Sequence, residues 1–364
     1  IVSLEKVLII MNIPQISVII PIKGNTGYLQ ECLASVKAQS FSDIEVVAVL
    51  SKDSDCPRSL SEFGKKIKIL HDNGQGLGEA RNVGLKAAQG KSVAFLDADD
   101  CMAPHMLEKM WKTAEKQNAD MVFSPVRLID ASGSEITGSQ EYELPKLQVF
   151  KSGEVFCWKD ISHKKLFSSQ NCVVVWNKIY RRDFLEKYRI SFLPVKRFED
   201  NLFYYETLLR AKRIAVVWEK LYCYRQLSDS LSSEILADKN AFEIIEVWNK
   251  ISGLPQKIGL KEEWLLPALY QQQALEYSHY YRHIPETCRV EFSKQIKTVA
   301  APEVYEIFLR SLPVASWKKI WGVPLIRIKG NYWVVRYFLF GFIPILKVRT
   351  HPNKEVKLFN FIKI

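Results

Sequence analysis

Short apolar runs separated by polar turns recur through the first hundred residues. Ile16–Pro21, Ile44–Val49, Lys66–Leu70 and Ser92–Leu96 are each five or six residues long. Runs of that length, rich in Val and Ile and bounded by turn residues, predict buried strands. Between them the period changes. Tyr28–Gln39 puts Leu29, Cys32, Leu33 and Val36 on one face, and Glu79–Ala88 does the same with Ala80, Val83, Gly84 and Ala87. Both follow the helical repeat, and the small residues of the second let it lie close on a sheet. Pro104–Lys116 predicts a third helix, with proline near its start and Leu107, Met110, Trp111 and Ala114 inward. Strands alternating with helices predict an α/β domain on a mostly parallel sheet covered on both sides.

Further along, residues 126–175 show weaker periodicity and are expected to include loops that shape a ligand site, with Val173–Trp176 reading as an apolar strand. Asn201–Ala211 predicts a helix, as do Ala237–Ile251, Glu262–Arg282 and Pro302–Leu312. The expected organisation is an N-terminal extension over 1–15, a main domain over 16–232, a bracing helical module over 233–315 and a separate tail over 316–364. Met11 lies just ahead of the first core strand, so residues 1–10 are expected to precede the true start.

Candidate chemistry concentrates at the exit of the fourth apolar run, where Asp97-Ala98-Asp99-Asp100 follows directly. A parallel sheet binds ligands outside the carboxyl ends of its strands. Carboxylates crowded there repel one another unless a cation sits between them, and a divalent ion holding a diphosphate relieves that repulsion. A solvated acidic turn is the plainer alternative. Upstream, the glycine-rich turn His71–Gly78 opens the second helix, where backbone N–H groups favour an anion and Arg81 adds a permanent charge suited to phosphate. The dinucleotide fingerprint needs a third small residue, and Glu79 occupies that position, which disfavours a nicotinamide or flavin site.

Three blocks in order carry a resemblance: Ile16–Pro21, the Asn73-x-Gly to Ala80-Arg81-Asn82-x-Gly84 segment, and Phe95–Asp100. Together they resemble the GT-A, family 2 type of inverting glycosyltransferase, a Rossmann-like fold. Trp176–Arg182 and Arg197–Phe203 resemble its bacterial cell-surface polysaccharide and lipopolysaccharide branch, so the likeness spans roughly residues 15–232. The resemblance implies that Asp97 and Asp99 contact a nucleotide sugar, with Pro21 and Arg81 on the same side, while Ser51 or Asp53 is expected to recover the contact to the nucleotide base where the chain departs from the family. It implies Mg²⁺ or Mn²⁺ on Asp99, with Asp100 as a further ligand. It implies Asp200 as the base that deprotonates the acceptor hydroxyl, with Glu199 in reserve. Trp176, Asn177 and Lys178 fall on the acceptor side. Helix capping is the competing reading for Glu199 and Asp200, and a core position competes for Trp176. Members of the family carry adjacent acids after the second strand, whereas this chain has Leu50-Ser51, with acids only at Asp53 and Asp55.

Charge changes the picture at one end only. The chain of 364 residues has a formal net charge of +11, and the segment 317–364 holds ten Lys and Arg against one Glu, which is +9 of that total. Trp321–Lys329, Phe340–Arg349 and, more loosely, Leu358–Ile364 repeat an aromatic, aliphatic and basic pattern that predicts short strands with a basic side. With no nucleic-acid motif alongside it, this tail points to an anionic membrane surface. The seven cysteines are scattered without a C-x-x-C pair, which excludes a disulfide framework or zinc site as a reading of spacing. The expected function is metal-dependent transfer from a nucleotide-sugar donor, a UDP-sugar first among them, to a glycan or lipid-linked acceptor. The expected setting is the cytoplasmic face of a bacterial inner membrane. A sugar nucleotidyltransferase and a non-catalytic glycan-binding protein are the alternatives; the pattern fixes no oligomeric state.

Overall fold

The computed structural model describes residues 13–24, 27–61, 63–64, 67–138, 144, 147–161, 173–227 and 239–312, and the backbone of strands within 333–360. Residues 1–10, the expected boundary at 232/233 and Trp321–Lys329 lie outside the described residues.

Two compact units divide the chain: 1–235 with 240–269, and 236–239 with 270–364. The first is built on eight strands: β1 (Ile16–Ile22), β2 (Ile44–Leu50), β3 (Ile67–His71), β4 (Ser92–Phe95), β6 (Met121–Phe123), β8 (Val155–Phe156), β9 (Lys178–Arg181) and β10 (Ile214–Val216). Their spatial order is β3-β2-β1-β4-β9-β6-β10-β8. β1 to β4 pair in parallel, whereas β9 runs antiparallel to both β4 and β6. The sheet is thus the mostly parallel α/β sheet that the strand–helix alternation predicts. Strand order reverses direction between β1 and β4, and ligands bind at such a switch point. A second, three-stranded sheet joins β5 (Cys101–Met102), β11 (Tyr222–Arg225) and β7 (Val126–Ile129) in the order β5-β11-β7.

Helices α1 (Leu29–Lys37), α2 (Leu77–Ala87), α3 (Met106–Gln117), α4 (Arg182–Tyr188) and α5 (Glu199–Arg210) flank these sheets, with α6 (Glu243–Ser252) packed on α5. α1 buries Leu29, Cys32, Leu33 and Val36, as its period predicts. α2 lies so close to β1 that a Cβ on Gly84 meets Ile19 Cγ2 at 2.3 Å. Only glycine allows that approach.

Three expectations shift. α2 begins at Leu77, two residues before the expected start at Glu79, and α5 begins at Glu199 rather than Asn201. Val173–Trp176 is not a strand; pairing starts at Lys178, and Trp176-Asn177 form the turn before it. The apolar run there serves side-chain burial, which periodicity alone does not separate from a ladder.

The second unit contains α8 (Arg289–Val299) and α9 (Pro302–Ser311), preceded by α7 (Leu265–His283), which starts in the first unit's residues. Its strands β12 (Trp333–Leu339), β13 (Ile343–His351) and β14 (Lys354–Asn360) form an antiparallel sheet in that order.

Candidate active site

The site forms where α2, the exit of β4 and the start of α5 meet. α2 is reached through Gly74 (φ 75°) and Gly76 (φ 105°), left-handed conformations open to glycine. Its first turn is covered by the chain at 193–196. A Cβ on Gly78 meets the Leu193 carbonyl oxygen at 2.6 Å and Glu199 Cβ at 3.0 Å. The glycine turn, expected as an open anion cradle, is instead used for close packing that brings α5 onto α2.

That packing converges on Arg81, whose side chain is 1 % exposed. Nη2 donates to Asp97 Oδ1 at 2.9 Å, while Nη1 donates to Glu199 Oε1 at 2.9 Å and Asp200 Oδ1 at 2.5 Å. One guanidinium therefore joins the strand exit to the head of α5. Burial disfavours its charge, but Asp200, Asp97 and Glu199 outweigh that and hold it protonated. Expected as a phosphate contact, Arg81 has its fork taken up by carboxylates.

Of the two acids on α5, the Asp200 side chain is 19 % exposed and that of Glu199 10 %. Burial pushes both carboxyls up, Glu199 to about 7 with help from neighbouring Asp200, and Asp200 against the opposing pull of Arg81. Lys178 also favours the Asp200 anion, which accepts the Val175 backbone N–H. Lys178 is itself buried: Nζ donates to Asn177 Oδ1 at 2.6 Å and to the Val174 carbonyl, and lies 4.7 Å from the Phe123 ring centre. Asn177 donates to Ser124 O at 2.8 Å, and Trp176 stacks on Tyr222 at 4.3 Å. All three residues expected on the acceptor side are thus buried behind Asp200 rather than set out as a sugar platform.

At the β4 exit, the Asp99 carboxyl is raised by burial and then by Asp97. Asp100 is 1 % exposed with both oxygens engaged: Oδ1 accepts the Arg225 N–H at 2.7 Å, and Oδ2 accepts the Tyr222 hydroxyl at 2.6 Å. Each oxygen of this buried carboxyl thus has one acceptor site committed to β11. Pro21 is paired in β1 opposite Val49. Ser51 N donates to Ile22 O at 3.0 Å, and Asp53 is exposed on the turn beyond. That turn is held by Asp72, whose Oδ1 accepts from Lys52 N at 3.0 Å and Gly74 N at 2.8 Å.

Asp72, Tyr222 and Arg225 escape sequence reasoning. Asp72 reads as part of a polar turn, and Tyr222–Arg225 carries no motif; only tertiary pairing brings them to the site.

The residues present fit a divalent cation. Asp97, Glu199 and Asp200 gather on Arg81, and Asp99 and Asp100 lie beside Arg225; burial first, and then neighbouring carboxylates, raise Asp99 and Asp100. Among the described residues no cluster of three or more acidic, His or Cys side chains is arranged to hold a metal alone. Mg²⁺ needs only one or two carboxylates when substrate phosphates complete its shell.

Residues 17–189 match the family described as glycosyl transferase family 2. That stretch is a glycosyl transferase family 2 domain, just under half of the chain. EpsH of Bacillus subtilis (strain 168), named as a glycosyltransferase, is 28 % identical over 225 residues, 59 % of this chain and 62 % of EpsH. The chain thus spans about three fifths of that relative's length. The poly(ribitol-phosphate) β-N-acetylglucosaminyltransferase TarS of Staphylococcus aureus (strain MW2) is 25 % identical over 241 residues, 64 % of this chain and 39 % of TarS. The crystal structure of S. aureus TarS 1–349 in complex with UDP-GlcNAc superposes with a TM-score of 0.60 at 18 % identity, covering 96 % of this chain and 100 % of that one. The shared fold is GT-A, and the family 2 glycosyltransferase domain carries the Asp97–Asp100 turn and Arg81.

Proposed function

We propose that the protein is a metal-dependent, inverting glycosyltransferase that moves a sugar from a UDP-sugar to a hydroxyl of a bacterial surface glycan or its lipid-linked precursor. One observation carries this reading: Arg81 bonds Asp97 on the donor turn and Asp200 on α5 at once. In this reading one cation joins the donor turn, through Nη2 and Asp97, to the base, through Nη1 and Asp200.

In this reading Asp99, beside Asp97, holds Mg²⁺ or Mn²⁺, which when bound supplies positive charge to the departing diphosphate. Pro21, Ser51 and Asp53 lie on the nucleotide side. Asp200 takes the proton from the acceptor hydroxyl as that oxygen attacks the anomeric carbon; burial makes its carboxyl more basic than a surface aspartate. Glu199, bonded to the same nitrogen of Arg81, balances the cation's charge. Trp176, Asn177 and Lys178 support the acceptor side from behind. TarS, by its name, transfers N-acetylglucosamine to poly(ribitol phosphate), which favours a polymer acceptor here. Turnover of a UDP-sugar panel with Mn²⁺, by protein with and without Asp99→Ala, tests the proposal. Absence of transfer with every donor and metal overturns it.

The basic sheet supports peripheral docking from the cytoplasmic side. No helix among the described residues is long and apolar enough to cross a membrane. Arg336 pairs with Lys347 and Arg349 with Lys357, so alternation sets these four positions on one face of the β12–β14 sheet. Each basic residue beside an anionic surface contributes on the order of 1 kcal/mol. Full-length protein carrying Lys347→Gln, Arg349→Gln and Lys357→Gln should lose sedimentation with phosphatidylglycerol vesicles. Unchanged sedimentation rejects this docking.

A further inference from the structure

The acidic turn is held in place by a strand that enters the chain more than a hundred positions later. The hydroxyl of Tyr222 accepts the Asp97 N–H at 3.2 Å and donates to Asp100 Oδ2 at 2.6 Å. The Arg225 N–H donates to Asp100 Oδ1 at 2.7 Å, and its Nε donates to the Asp99 carbonyl at 2.9 Å. Three of the four residues in Asp97–Asp100 are thus bound to β11. Arg225 is anchored in turn: Nη2 donates to Glu31 Oε2 at 2.7 Å, and Nη1 donates to the carbonyls of Asp130 at 3.1 Å and Ala131 at 3.2 Å. The Tyr28 ring centre lies 4.3 Å from its guanidinium carbon. Tyr222 is braced by Trp176 stacked upon it. β11 lies beyond the residues 17–189 matched to the family.

We propose that β11 is a latch on the acidic turn, in which Tyr222 and Arg225 are positioning residues and Asp100 is their receptor rather than a metal ligand. The latch sets how tightly Asp97 and Asp99 hold a nucleoside diphosphate and its cation, so this inference rests on the donor reading above. The physical basis is preorganisation. A turn bearing three carboxylates repels itself apart, and buried bonds that hold its backbone remove the cost of ordering it when the ligand arrives.

The test uses full-length protein, UDP and Mn²⁺ as probes, with calorimetry for binding and hydrogen exchange for the turn. Tyr222→Phe removes only the hydroxyl. It should speed amide exchange in residues 96–101 and weaken Mn²⁺-dependent UDP binding roughly tenfold or more, since the hydroxyl's bonds to both Asp97 and Asp100 are lost. Asp100→Asn should weaken binding to a similar degree, and the double variant should be no worse than either single one. Arg225→Lys, which keeps its backbone bond to Asp100, should fall between wild type and Tyr222→Phe. Unchanged exchange in Tyr222→Phe overturns the latch. Loss of all Mn²⁺ dependence in Asp100→Asn, as expected for Asp99→Ala, overturns the assignment of Asp100. If wild type binds no UDP with Mn²⁺, the donor reading falls and the affinity role falls with it, while exchange still decides whether β11 holds the turn.

Discussion

Arg81 and Asp200 stand 119 positions apart in the chain, yet Nη1 and Oδ1 meet at 2.5 Å. The pair forms because α2 and α5 touch at glycine, and it places a permanent cation between the donor turn and the proposed base. Burial raises the Asp200 carboxyl above the ordinary aspartate range, and the Arg81 cation opposes that rise.

Removing the base function should separate chemistry from binding. Asp200→Asn keeps the shape and one acceptor for Arg81. The expected result is a fall in kcat of about 10²- to 10⁴-fold with the KM for the donor little changed. Steady-state kinetics with a competent UDP-sugar reads this, and a kcat near wild type excludes Asp200 as the base.

Arg81 should matter for stability as well as activity. Arg81→Met leaves Asp97, Glu199 and Asp200 crowded in a buried site without their shared cation. Breaking a buried ion pair from one side costs about 3–5 kcal/mol, so a fall of that size in urea unfolding is expected. Arg81→Lys should recover only part of it, since an ammonium does not present a planar fork to three carboxylates.

Glu199 makes a signed prediction in pH. Its folded-state carboxyl lies near pH 7, above the ordinary 4.5. Between those values the folded protein holds a proton that the unfolded chain has lost. Its contribution to stability is therefore full below about pH 4.5 and is lost as pH rises through 7. Glu199→Gln does not titrate, so its Tm relative to wild type should climb across that window, by roughly 2–4 °C per kcal/mol. A Tm difference independent of pH would count against a raised Glu199.

Packing of α2 on β1 predicts an overpacked variant. Gly84→Ala sets a methyl against Ile19 Cγ2, and such crowding costs about 1–3 kcal/mol. Ile19→Ala in the same chain should relieve the clash, making the two changes strongly non-additive in thermal unfolding.

Much of this arrangement was legible in the residues themselves. β1, β2, β3 and β4 are short Val- and Ile-rich runs, α1 and α2 have a clear helical period, and the Asp97–Asp100 turn follows an apolar strand where ligands gather. These are local signals, because backbone hydrogen bonding and burial of one face are decided within a few neighbours. Arg81, Asp97 and Asp200 were each named from sequence for the same reason, through their motifs.

Partnership was not legible. That Arg81 serves carboxylates, that Asp100 is bound by Tyr222 and Arg225, and that Trp176, Asn177 and Lys178 are buried all depend on which distant segments pack together. Gly78 shows why: its glycine reads locally as a turn or an anion cradle, and only the carbonyl of Leu193 lying against it reveals a contact surface. Sequence determined which elements form and which residue types are available for chemistry. Tertiary structure decided which charges neutralise one another, because that depends on distance through space and not along the chain.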